Sequence, residues 1–163
     1  MEKPFPVRKE IRLKGYDYSQ PNAYFITICT DKKKNLFWNL VNEATFETIP
    51  LSHDGKIAEA AICEMPVHYP TITLEKYVVM PNHVHLLILI HAGEQGKAQS
   101  EPTISRMVQQ LKGIITKKIG FSVWQPRFYD HVVRNQQDYD EIWQYIEENP
   151  WKWKEDRFYN EGM

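Results

Sequence analysis

Tyr77-Val-Val-Met-Pro-Asn-His83-Val-His85-Leu-Leu-Ile-Leu-Ile90 sets two short apolar runs on either side of a Pro81-Asn82 turn signal. That arrangement predicts a β-hairpin or a tight strand connection. Residues two apart in a strand point to one face, so His83 and His85 project side by side from a rigid element. Leu87 and Leu89 continue their face, and Val84, Leu86, Ile88 and Ile90 form the other. With both faces apolar, the strand is expected to be central and covered on both sides. Two polar side chains inside such a strand have two readings. Either hydrogen bonds satisfy them at a strand end, or the paired imidazoles hold one metal ion.

The chain around this stretch has 163 residues, 42% hydrophobic and 25% charged, which suits one globular domain spanning 1–163. A net charge of −1 neither proposes nor excludes a nucleic-acid partner. The charge is unevenly spread. Residues 1–34 hold eight Lys/Arg against four Asp/Glu, a net of +4, and residues 35–102 hold three against eight, a net of −5. Cys29 and Cys63 fall in separate apolar segments outside any metal-type cluster, and both are expected to be buried free thiols. No apolar run is long enough to span a membrane, and Met1-Glu-Lys-Pro-Phe-Pro lacks the apolar core of a secretion signal. A cytoplasmic protein with no membrane partner is expected.

Residues 1–20 read as a basic arm, with Arg12 and Lys14 as candidate DNA contacts and a solvated arm as the plainer reading. Ala23–Thr30 carries β-branched and aromatic residues on both faces, a second central strand. Ser52 can cap a helix from about His53 to Met65, which Pro66 stops. Residues 92–102, rich in Gly, Gln and Ser, read as flexible. Next comes a helix from Thr103 to Gly120, with Ile104, Met107, Val108, Leu111 and Ile115 as its core stripe. Its opposite side carries Arg106, Lys112 and Lys117 and no acidic residue, which makes it a candidate phosphate-facing surface, with a merely solvated face as the alternative. A strand over Phe128–Val133 precedes a third helix, capped by Asn135 with Asp138 in a capping-box position. Tyr139, Ile142, Trp143 and Ile146 form its core stripe, and Pro150 ends it at or before Asn149. The order strand, helix, strand, strand, helix, strand, helix predicts an α+β fold. It is the split β-α-β, ferredoxin-like sandwich: an antiparallel sheet with helices, plus a C-terminal helix.

The last helix brings Tyr145 and Asn149 to one face, four residues apart. Taken alone, Tyr145 reads as a core-edge aromatic and Asn149 as a helix cap. Combined with His83 and His85, they make a mixed N/O set suited to Mg or Mn, with Tyr145 one turn from a ligand. Zinc would usually add a Cys, a further His or a carboxylate. Tyr139 belongs to the core stripe. Tyr129 lies on a strand and could line the site, but no metal-ligand partner is placed beside it as Asn149 is beside Tyr145, which could attack a phosphorus atom held by that metal. Beyond Pro150, Trp151-Lys152-Trp153-Lys154 opens a short tail over 151–163. Its indoles and ammonium groups either stack on bases and meet phosphates or pack back on the core.

His83-Val-His85 after Met80-Pro-Asn, then Trp124-Gln-Pro-Arg127-Phe-Tyr-Asp-His-Val-Val-Arg134, then Tyr145-Ile-Glu-Glu-Asn149-Pro150, closely resembles the HUH single-tyrosine transposases. The likeness is strongest to the REP-associated tyrosine transposases. Arg12-Leu-Lys14-Gly-Tyr-Asp-Tyr-Ser-Gln-Pro21 is similar to the family's N-terminal stretch, and the resemblance covers most of residues 8–155. It implies that His83, His85 and Asn149 hold a divalent metal, Mg or Mn. It also implies that Tyr145 breaks single-stranded DNA, leaving a 5′-phosphotyrosine link and a free 3′-OH, with strand transfer as the reverse step. The implied partner is single-stranded or hairpin DNA, contacted by residues such as Arg12, Lys14, Arg106, Lys112, Lys117, Arg127, Trp151 and Lys152. Association with the nucleoid would follow from that. A monomer and a homodimer both remain open, as does the class of nucleic-acid-binding proteins that have lost catalysis.

Overall fold

The computed structural model describes residues 22–39, 48–91 and 103–160. Four strands form one antiparallel sheet: β1 (Ala23–Cys29), β2 (Ile72–Met80), β3 (His83–Ile90) and β4 (Tyr129–Val132). Their order is β2-β3-β1-β4, so β1 and β3 are central, as their two apolar faces require. The helices are α1 (His53–Cys63), the short α2 (Met65–His68), α3 (Ile104–Ile119) and α4 (Gln136–Glu148). The fold is the α+β, ferredoxin-like arrangement with α4 added at the C-terminal side. The elements share one hydrophobic core.

Local chemistry sets the element ends. The side chains of Ser52, Thr103 and Asn135 accept the backbone N–H of Gly55, Arg106 and Asp138 at 3.0, 3.1 and 2.8 Å. Each satisfies a donor that the first helical turn leaves open. The helix α3 closes on Gly120 at φ 101°, a left-handed conformation that glycine adopts without a Cβ clash. All five residues of its apolar stripe are buried.

Several expectations need correction. Pro66 does not end the helical stretch. α1 stops at Cys63, and Pro66 sits in the first turn of α2, where its missing N–H is not needed. Asp138 does not complete a capping box. Its carboxylate accepts the N–H of Arg134 at 2.9 Å and pairs with His131 at 2.8 Å. Trp143 leaves the core stripe, being 38% exposed, with the Lys76 ammonium 4.7 Å from its ring centroid. Ile142 and Ile146 are the fully buried residues of α4, and Tyr139 and Tyr145 pack against the core at its edge. Cys29 is buried but Cys63 is exposed. Pro150 ends α4, yet the chain continues as a 3-10 turn over Asn149–Glu155. Within residues 151–160, Trp153 and Phe158 are buried, while Trp151 and Lys152 are exposed.

The sheet has two working faces. On one, Tyr77 lies opposite Leu86 and donates to Glu59 of α1 at 3.0 Å, and α1 packs on α3. On the other, Phe25 and His85 meet Tyr145 of α4, and His83 meets Trp153 of the turn that follows it.

Candidate active site

The histidine pair lies on β3 facing α4, and both rings are buried, His83 completely. Their centroids are 4.6 Å apart. Each Nδ1 is engaged. His83 Nδ1 lies 2.8 Å from Asn82 Oδ1, a pure acceptor, so Nδ1 carries the proton and Nε2 keeps its lone pair. His85 Nδ1 lies 2.8 Å from the Thr27 hydroxyl, which accepts the Nδ1 proton in the tautomer that leaves Nε2 bare. Burial lowers the His83 pKa to about 3, against the opposing pull of the Asn149 amide. Burial, then the neighbouring His83, puts His85 well below the usual imidazole range. Both rings are thus neutral lone-pair donors.

Asn149 follows the last residue of α4 and is buried. Its Nδ2 donates to Asp156 Oδ2 at 2.6 Å, which leaves Oδ1 as its uncommitted end. His83 Nε2, His85 Nε2 and Asn149 Oδ1 are all buried, and none makes a hydrogen bond. A buried acceptor without a partner costs ~1–3 kcal/mol, so three in one place need a reason. Among the described residues no three His, Cys, Asp or Glu side chains group to hold a metal. Two imidazoles with an amide oxygen would fit a divalent ion that keeps open positions.

Tyr145, one turn before Asn149, is half-buried, its ring 5.3 Å from His85 and edge-on to Phe25 at 6.1 Å. Burial, then the Asp156 charge, raises its phenol pKa above the ordinary value. Tyr129 is also half-buried, and it pairs with Thr27 across β1 and β4.

Four contributors escaped sequence reasoning. Asn82 adjoins the pair in sequence but reads only as a turn residue. It is fully buried, and its Nδ2 donates to the Phe158 carbonyl at 2.8 Å. Thr27 is identified only by the strand register. Phe158 covers His83 at 4.6 Å, and Asp156 supports Asn149. Neither carries a sequence signal.

The expected DNA contacts are scattered. Arg106 and Lys117 are exposed on α3, behind the sheet from the histidines. Lys112 is half-buried and donates to the carbonyls of Gln125 and Arg127 at 2.8 and 3.2 Å, so its ammonium is engaged internally. Arg127 is exposed. Lys152 pairs with Glu148 at 2.8 Å. Trp151 is 41% exposed, whereas Trp153 is buried against Trp38 and Tyr159. Arg12 and Lys14 lie outside the described residues, as does the 92–102 stretch. No helix among the described residues is long and apolar enough to cross a membrane.

No family model matches the chain. An uncharacterized protein of Haemophilus influenzae is 30% identical over 171 residues, covering 93% of both chains. A second protein of that organism, provisionally assigned as a REP-associated tyrosine transposase, is 26% identical over 83% of this chain and 74% of its own length. The REP-associated tyrosine transposase of Escherichia coli is 31% identical, over 48% of this chain and 44% of its own. In fold, the chain matches a REP-associated tyrosine transposase solved bound to a REP hairpin. The TM-score is 0.62 at 22% identity, over 89% of this chain and 74% of that one. The chain is thus similar in sequence to proteins named REP-associated tyrosine transposase, and it shares the fold of one solved with a REP hairpin.

Proposed function

We propose that this protein is a divalent-metal-dependent transposase that cleaves and rejoins single-stranded or hairpin DNA through a 5′-phosphotyrosine link. The observation that carries the reading is the convergence of three buried, unbonded donor atoms beside Tyr145. His83 Nε2, His85 Nε2 and Asn149 Oδ1 would hold the ion. Bound there, Mg or Mn would polarise the scissile phosphate and offset charge developing on it.

The chain's own residues account for the rest. Asn82 and Thr27 hold the imidazole rings. Phe25 and His85, neighbours on one sheet face, back the Tyr145 ring. The Tyr145 hydroxyl loses its proton to solvent, and its oxygen attacks phosphorus. The bond from phosphorus to the 3′ oxygen breaks, and that oxygen leaves and takes up a proton. One P–O bond is made as one is lost, so the link keeps its energy for a second 3′-OH to reverse the step without ATP. Fixing the nucleophile in place is worth several kcal/mol of barrier in such steps, on the order of 7–11 at best.

The test is cleavage of a pool of randomised single-stranded hairpin oligonucleotides. Mg or Mn should support it, and excess chelator or His83→Ala should abolish it, with the fold retained by circular dichroism. Undiminished cleavage in chelator would overturn the metal-dependent reading.

A further inference from the structure

A ligand set that depends on an amide has a weakness that a carboxylate lacks. The two ends of an amide are nearly the same size, and only the oxygen can bind a cation. Nothing in Asn149 itself chooses which end faces the histidines. Asp156 does. Its Oδ2 accepts from Asn149 Nδ2 at 2.6 Å, which only the NH2 end can satisfy, and so turns Oδ1 toward the pair. The carboxylate is itself fixed, because its Oδ1 accepts the Phe158 N–H at 2.7 Å. Its side chain is fully buried, and Oδ2 lies 3.9 Å from His83 Nε2.

The geometry points to Asp156 as the positioning residue of the metal site, acting through Asn149 by holding its amide oxygen toward His83 and His85. This rests on the metal site proposed above. The relation is that of the outer partners that orient metal ligands, whose loss commonly costs ~10–100-fold in metal affinity. It also gives the 3-10 turn a purpose, since that turn returns the chain from Asn149 to Asp156.

The test is titration of the full chain with Mn ions, followed by electron paramagnetic resonance. Asp156→Asn offers an amide where the carboxylate stood, and it should weaken Mn binding about 10–100-fold. The exchanged pair, Asn149→Asp with Asp156→Asn, reverses the hydrogen bond and returns an oxygen to the site. It should bind Mn within a few-fold of the unaltered protein. A purely structural role for Asp156 would not yield recovery by exchange. Unchanged affinity in Asp156→Asn, or an exchanged pair no better than that single variant, would overturn the inference while leaving the metal site standing. If Asp156→Asn does not fold, the exchanged pair read against the unaltered protein decides: near-native affinity supports the inference, and a tenfold loss overturns it. Absence of Mn binding by the unaltered protein would remove the metal site, and the inference with it.

Discussion

His83 is held neutral because the folded protein removes it from water, and that has a cost in acid. Its pKa falls from the ordinary imidazole value of 6.5 to about 3 on folding. Between those values the unfolded chain binds a proton that the folded chain refuses, so stability is present above pH 6.5 and drains as pH falls toward 3. The slope is about 1.4 kcal/mol per pH unit for one such group, and His85 shifts in the same direction. In urea melts of chelator-treated protein at pH 7, 6 and 5, the unaltered protein should lose stability more steeply than His83→Gln. Parallel losses would mean that His83 is not held neutral. The pair was legible in sequence because period-two alternation alone puts His83 and His85 on one face. Their partners were not. Thr27 is 58 residues from His85 in the chain, and only strand register brings the two together.

At the scale of elements, two helical glycines with the same sequence appearance should behave oppositely. A Cβ at Gly55 in α1 would fall 2.0 Å from the Phe37 carbonyl oxygen, so backbone must move. Gly55→Ala should cost about 3 kcal/mol or more. A Cβ at Gly113 in α3 meets nothing within 4 Å, and Gly113→Ala should stabilise by about 0.5–1 kcal/mol. Urea melts measure both, and a tolerated Gly55→Ala would contradict the packing of α1 on the Phe37 segment. The elements themselves were largely legible. Apolar period and caps located α1, α3, α4 and the β2–β3 hairpin. Pro150 marks the end of α4 as read, but Pro66 was over-read as a stop, because proline is tolerated in the first turn of α2, where no N–H is required. Trp143 was over-read too, since helical spacing does not reveal that α4 turns only Ile142 and Ile146 fully inward.

Across the whole molecule, the site is assembled from two distant parts of the chain. The β3 histidines meet the stretch from Tyr145 of α4 through Asn149 to Phe158 on one side of the sheet, and α1 and α3 support the other. Tyr145 and Asn149 could be matched to the histidines from sequence because a four-residue helical spacing and a family resemblance coincided. Asp156 and Phe158 lie in a charged, aromatic segment with no periodicity to read. The proposed linkage of Tyr145 to DNA can be read directly from hairpin oligonucleotides that the protein cleaves, incubated with Mg and resolved on a denaturing gel, with the linked peptide identified by mass spectrometry. The unaltered protein should give a covalent adduct carried on Tyr145. Tyr145→Phe, which loses a single hydroxyl, should fold and bind the same DNA and yield none. An adduct that survives in Tyr145→Phe, or that maps to Tyr129, would contradict the claim.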